Sequence, residues 1–138
     1  MSEPRPAIVR FVRAVAEIER ADGAGADAEI ASRVVMRLHQ ELSNLIGPGG
    51  FDVLLARSVV LARRTHPALA EVTAGPAGAL TGLDAASSDA VLGEGAIALV
   101  AHFIDLLATL IGEDFAIALL RKVWPAVEEQ SHDRKLPG

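Results

Sequence analysis

The chain has 138 residues, of which 51% are hydrophobic and only 4% aromatic, and its formal net charge is −5. This length predicts one domain that buries a core without cross-links, and the absence of cysteine excludes disulfides, thiolate metal sites and cysteine nucleophiles. Because acidic and basic residues are interspersed, no concentrated basic surface for nucleic acid is expected. The first residues lack a signal-peptide pattern, which favours a cytoplasmic location.

The first half of the chain predicts three helices. Apolar residues at helical spacing indicate a first helix over residues 6–20 and a second over 27–46. The second helix ends at the Gly-Pro-Gly-Gly corner of residues 47–50, because glycine permits positive φ and proline cannot continue a helix. A third helix is expected over 51–64 and ends before Pro67.

The second half predicts a loose connection over residues 66–87, in which residues 66–74 are compatible with a short helix, followed by two further helices. The fourth helix ends at Gly112, and the fifth begins at Glu113-Asp114 and passes through Trp124, with Pro125 marking either its end or a kink. The pattern contains no alternating strand signal. We therefore expect an all-α fold over residues 1–138, as one helical domain.

The fourth helix is apolar enough to resemble a membrane span. Three ionisable residues, Glu94, His102 and Asp105, interrupt its apolar run. Each of them would cost a few kcal/mol at bilayer depth, so a core helix is the better interpretation and no membrane partner is expected.

A short stretch around the first corner recurs near the C-terminus. The sequence LIGPGGFDVLLAR of residues 45–57 returns as LIGEDFAIALLR of residues 110–121, at a spacing of 65 residues (110 − 45). If one residue is lost at the corner, Phe51 then matches Phe115 and Arg57 matches Arg121. The alternative is a chance match between two amphipathic hairpins.

The repeat predicts a particular architecture. Two similar αα-hairpins, about 27–65 and about 88–128, would pack around a pseudo-twofold axis as a four-helix bundle. The N-terminal helix would then lie across the outside as an added element.

The helical rotation also predicts an interface. With Leu55 and Leu119 facing the core, each hairpin presents an apolar pair and an arginine on its outer face. Tryptophan and arginine are enriched at protein interfaces, so we expect a homodimer, with another protein as the alternative partner. In the alternative interpretation, Trp124 covers a groove and the other apolar residues are ordinary surface. The predicted interface residues are Val53, Val60, Ile117, Trp124, Arg57 and Arg121.

The sequence offers little for catalysis or metal binding. Among the histidines, only His132 has a glutamate three residues before it, Glu129, and this single pair does not make the two motifs of a di-metal bundle. No catalytic residue, metal or cofactor is therefore predicted, and the protein is not expected to be an enzyme.

The function expected from these observations is a non-catalytic, self-associating helical interaction or regulatory module. One alternative is a phosphorelay protein, because His39 lies at the edge of its helical stripe and is followed by Gln40-Glu41. A second alternative is a small hydrophobic-ligand binder, since the predicted interior is mostly aliphatic.

Overall fold

A computed structural model describes residues 4–22, 27–75, 79–82, 89–125 and 127, and most of them are helical. The α-helices are α1 (Pro6–Asp22), α2 (Asp27–Ile46), α3 (Pro48–Thr65), α4 (Asp89–Ile111) and α5 (Glu113–Val123). The mostly helical class is therefore confirmed. The pair Glu129 and His132 lies outside the described residues.

The connection between α3 and α4 is more structured than expected. A 3₁₀ turn at Pro67–Leu69 is followed by a small antiparallel hairpin of β1 (Thr73–Ala74) and β2 (Leu80–Thr81). Strands of two residues are too short to show alternation in a sequence, which explains why the pattern gave no strand signal. Residues 76–78 and 83–88 of this connection lie outside the described residues.

Ion pairs show that α1 runs antiparallel to α4. Arg5, just before α1, lies 3.3 Å from Asp105 and 3.5 Å from Glu113, near the point where α4 ends and α5 begins. Further along α1, Arg13 lies 3.0 Å from Glu94 in the first half of α4. The start of α1 is therefore at the end of the molecule that holds the α4–α5 corner.

The two glycine corners lie at the same end of the molecule, which we call the corner end. The side chain of Leu69, which follows α3, packs closely against Gly95 near the start of α4. A Cβ added at Gly95 would lie 3.0 Å from that leucine side chain. Because α3 ends where α4 begins, α2 and α4 both run towards the corner end. Gly47 and Gly112 therefore close the same end of the bundle.

α4 is the central helix, since it packs against each of the other four helices. Within the described residues, its segment Glu94–Ile111 is long and apolar enough to cross a membrane, yet 56% of that segment is buried inside the protein. An apolar helix with neighbours on all sides is what its sequence predicts for a core element.

The N-terminal helix belongs to the core, so its expected place across the outside is wrong. Its apolar stripe packs against α2 and α4, with four stripe residues buried and the fifth, Ile18, partly buried against the core. These buried residues are Ile8, Phe11, Val12 and Val15. The core is thus shared by five helices rather than four.

Both corners have the backbone that the sequence predicts. Gly47 has φ 81° and ψ 152°, and Gly112 has φ 97° and ψ 141°, a region that is essentially restricted to glycine. Each glycine carbonyl accepts a 3.0 Å hydrogen bond from the amide four residues later, that of Phe51 in one corner and Ala116 in the other. The prediction of positive φ at both glycines is confirmed.

The expected loss of one residue at the second corner is wrong. Since Phe51 and Ala116 occupy the same hydrogen-bonded position, the 65-residue spacing continues unbroken into α3 and α5. Leu55 and Leu120, which are related by that spacing, are both fully buried. Phe115, the expected partner of Phe51, is 50% exposed. An error of one residue rotates a helix by about 100°, and this displaced the expected orientations of Ile117, Leu119 and Trp124.

Candidate functional site

The outer face of α3 carries exposed apolar side chains, as predicted. Val53 is 69% exposed, more than any other large apolar residue that the structure describes, and Val60 on the same face is 40% exposed. Ala56 and Arg57 lie between them and are also exposed. We call Val53, Ala56 and Val60 the α3 seam.

The corresponding face of α5 differs from the prediction. Trp124 is buried at 3% exposure, and Ile117 is half-buried against the core, so their expected outward orientation is wrong. With Leu120 rather than Leu119 facing inward, Trp124 lies only about 40° from the core direction. Arg121 is exposed, as expected. A Trp124→Glu substitution would therefore place a charge in the core, not on a surface.

Trp124 takes part in a buried polar cluster that connects three elements. Its indole Nε1 donates a 2.8 Å hydrogen bond to Oε2 of Glu19, a carboxylate on α1 that is only 2% exposed. On α2, Arg37 Nε lies 3.2 Å from Oε2, and Arg33 Nε lies 3.5 Å from Oε1. Arg33 also donates a 3.2 Å hydrogen bond to the backbone carbonyl of Glu19. The cluster holds the end of α5 against α1 and α2.

Sequence reasoning missed this cluster, although one signal was present. Glu19 follows Val15 by four residues, so it continues the apolar stripe of α1 rather than its polar side. A buried carboxylate needs several donors, since an unpaired charge in the interior is costly. The indole and the two guanidinium groups meet that need, which indicates a structural role for the cluster.

A second ion pair connects the other side of α1 to α4. Both terminal nitrogens of Arg13 donate hydrogen bonds to the Glu94 carboxylate, at 3.0 and 3.1 Å. These bonds stabilise the charged form of Glu94 and so lower the pKa of that carboxyl below its ordinary value. Both side chains are about half exposed, so the pair orients α1 more than it stabilises the fold.

A small apolar cleft lies between α1, α2 and α4. Its volume is about 40 Å³, and an alanine from each of the three helices, Ala16, Ala31 and Ala96, contributes to its wall. Arg20 is the charged residue in the lining, and it pairs with Glu17. An engineered cavity that binds benzene measures about 150 Å³, so the cleft is too small for a compound of that size.

The described histidines do not form a metal site. Within the described ranges, no three His, Cys, Asp or Glu side chains are close enough together to hold a metal ion. His39 is half-buried, with its ring edge-on to the buried ring of Phe51 at a centroid distance of 5.0 Å. His102 is buried on α4.

The corner end carries a further set of exposed apolar residues. Leu45 and Leu110, which are related by the 65-residue spacing, are 48% and 65% exposed, and Phe115 lies just beyond the second corner. Helical spacing predicts Leu45 on the buried stripe of α2 with Leu38 and Leu42, and its exposure shows that this prediction is wrong next to the corner. Glu113 and Asp114 are exposed beside Phe115, which makes the second corner acidic as well as apolar.

No protein-family model, curated protein or solved structure matches this chain in sequence or in fold.

Proposed function

We propose that the protein is a non-catalytic helical module that associates with a second copy of itself through the outer face of α3. The observation that carries this proposal is the exposure of Val53 and Val60, which lie seven residues apart (60 − 53) on one helical face. Apolar residues in that arrangement form a stripe that another helix can cover. In a twofold homodimer the same stripe of both copies would be buried in a single interface.

The size of the α3 seam sets the expected strength of association. α3 has 18 residues and is roughly 27 Å long, so two copies side by side bury less than the about 800 Å² per partner of a standard interface. We therefore expect a dimer with a dissociation constant on the order of 10–100 µM. An interface this weak suits a regulatory module whose state depends on its concentration.

The same proposal includes the internal architecture. We propose that the hairpins α2–α3 and α4–α5 are two related halves around a pseudo-twofold axis, with α1 packed into the groove between α2 and α4. Support comes from the shared corner backbone and from residues that are buried in both halves at the 65-residue spacing. These buried pairs are Val35 with Val100, Leu38 with Phe103, Leu42 with Leu107, and Val59 with Trp124. A cytoplasmic location fits a chain without cysteine.

The two alternatives have weaker support. A phosphorelay histidine needs an accessible imidazole, whereas His39 is half-buried with its ring against Phe51. A hydrophobic-ligand binder needs a larger space than the cleft of about 40 Å³ between α1, α2 and α4. The α3 face, by contrast, presents its apolar residues without any rearrangement.

Light scattering tests the proposal through a matched pair of variants. The 65-residue spacing relates Val53 to Ala118 on α5, and both positions are exposed. We expect Val53→Glu to abolish concentration-dependent dimerisation, because it places two like charges in the seam, while Ala118→Glu keeps the dimer. Circular dichroism should show the same helix content in both variants. A wild-type protein that stays monomeric at about 500 µM, well above the expected dissociation constant, would contradict the proposal.

A further inference from the structure

The α3 seam and Gly49, one turn before it, together have the spacing of a coiled-coil interface with small residues at alternate positions. Val53 and Val60 occupy successive a positions of a heptad, and Gly49 and Ala56 occupy the d positions. All four residues are exposed, and a Cβ at Gly49 would meet no atom within 4 Å. Small residues at both d positions allow two α3 helices to approach closely.

Charged side chains of opposite sign flank the seam. Asp52 precedes Val53 at a g position, and Arg57 follows Ala56 at an e position, so they lie on opposite sides of the seam. Asp52 is half-buried: its Oδ1 is enclosed and accepts no hydrogen bond from the described residues, while the rest of the side chain is partly accessible at the edge of the seam. Arg57 is exposed, and no ion pair is recorded for it in the described part of the chain. Both charges therefore lack a partner within the described structure.

From this arrangement we infer that two copies pack with their α3 helices parallel, so that Asp52 of each copy pairs with Arg57 of the other. In parallel coiled coils, a g residue faces the partner's e residue five positions later, and Asp52 and Arg57 are separated by five positions (57 − 52). A twofold axis parallel to the helices forms this pair twice.

The charges also disfavour the antiparallel arrangement. Antiparallel helices pair e positions with e positions. When the antiparallel pair is centred on the two exposed valines, between Ala56 and Arg57, the two copies of Arg57 lie close together and repel. The parallel arrangement instead forms two pairs of opposite charge in the dimer, one on each side of the axis. This charge complementarity is the reason for choosing a second copy as the occupant of this face.

Charge reversal tests the inference, which rests on the proposed self-association. We expect Asp52→Arg and Arg57→Asp each to weaken the dimer on the order of tenfold, since each creates like-charge pairs on both sides of the axis. The double variant, with the charges exchanged, should restore the wild-type dissociation constant to within about threefold. The measurement is sedimentation equilibrium, with circular dichroism as the check of folding.

The outcomes separate this inference from the proposed function. If the wild type dimerises and the single variants dimerise equally well, the α3 pairing is overturned while self-association stands. If the neutral substitution Arg57→Ala strengthens the dimer, it has removed a repulsion between two copies of Arg57, so the arrangement is antiparallel and the inference is wrong. A monomeric wild type overturns both proposals.

A salt series covers the case in which Asp52→Arg does not fold. The wild-type dimer should weaken as salt rises, and the exposed substitution Arg57→Ala should remove most of that dependence. Equal salt dependence in the two proteins would overturn the inference.

Discussion

The two hairpins share a corner but differ in what they present outside it. In both, a single glycine with positive φ joins the helices, and the buried positions recur at the same spacing. Yet α3 exposes Val53 where α5 has Ala118, and α3 buries a small Val59 where α5 buries Trp124. The difference shows that the backbone of a corner and the core it closes do not determine the outer surface.

The position of α1 explains part of this difference. Near its end lies the buried Glu19, which accepts the Trp124 hydrogen bond and pairs with Arg33 and Arg37 of α2, so the end of α5 and α2 both make polar contacts with α1. α3 packs against both α2 and α4 but does not contact α1 to a comparable extent. The outer face of α3, with Val53 and Val60, is exposed.

The largest effect on the free energy of unfolding is expected at the phenylalanines that follow the corners, and it should differ between the two. Phe51→Ala should lower the free energy of unfolding by about 3–5 kcal/mol, because it leaves a cavity in the core. Phe115→Ala should change it by less than about 0.5 kcal/mol, since that ring is half exposed. Guanidinium chloride unfolding measures both values. Similar losses of unfolding free energy in the two variants would show that Phe51 and Phe115 occupy equivalent positions. The alignment with a one-residue gap at the second corner would then be correct.

The next effect concerns the hydrogen bond between Trp124, which follows α5, and the buried Glu19 of α1. Trp124→Phe keeps most of the buried ring but removes the indole N–H, and we expect a loss of about 1–3 kcal/mol from the weakened Glu19 cluster. The control is Glu17→Gln, which alters an exposed carboxylate on the same helix and should cost less than about 0.5 kcal/mol. A neutral Trp124→Phe would show that the hydrogen bond does not stabilise the fold.

The two corner glycines should respond alike. Gly47→Ala and Gly112→Ala should each destabilise the fold by roughly 1–2 kcal/mol, because an added Cβ meets no neighbour and the cost is conformational alone. Valine at either position should cost more. Gly49→Ala, inside α3, is the matched control and should be neutral or stabilising by up to about 1 kcal/mol. Costs that differ by a factor of two or more between the corners would contradict their equivalence.

The sequence predicted the helices and their corners well because both depend on local chemistry. Helical spacing placed the first four α-helices, and the glycines marked both corners with the correct sign of φ. The outward face of α3 was also predicted, since Leu55 was correctly taken as inward.

The errors came from features that depend on packing between distant parts of the chain. Aligning Phe51 with Phe115 required a gap that the hydrogen bonds of the corners do not contain. That gap led to the prediction that Trp124 faces outward. In the structure, Trp124 instead donates a hydrogen bond to Glu19, which is 105 residues away in the sequence. No local pattern specifies a contact at that separation, and a buried carboxylate on an apolar stripe was the only available hint.

The central claim is that α3, unlike its counterpart α5, is where two copies meet, and single-cysteine cross-linking tests it most directly. The natural chain has no cysteine, so Val53→Cys and Ala118→Cys each introduce a unique thiol. In a parallel seam the two copies of residue 53 face each other at close to disulfide distance, whereas residue 118 of one copy is remote from its equivalent. Under mild oxidation at about 100 µM, near the expected dissociation constant, Val53→Cys should form a covalent dimer and Ala118→Cys should remain monomeric. Equal cross-linking of the two variants, or none in Val53→Cys, would contradict the account.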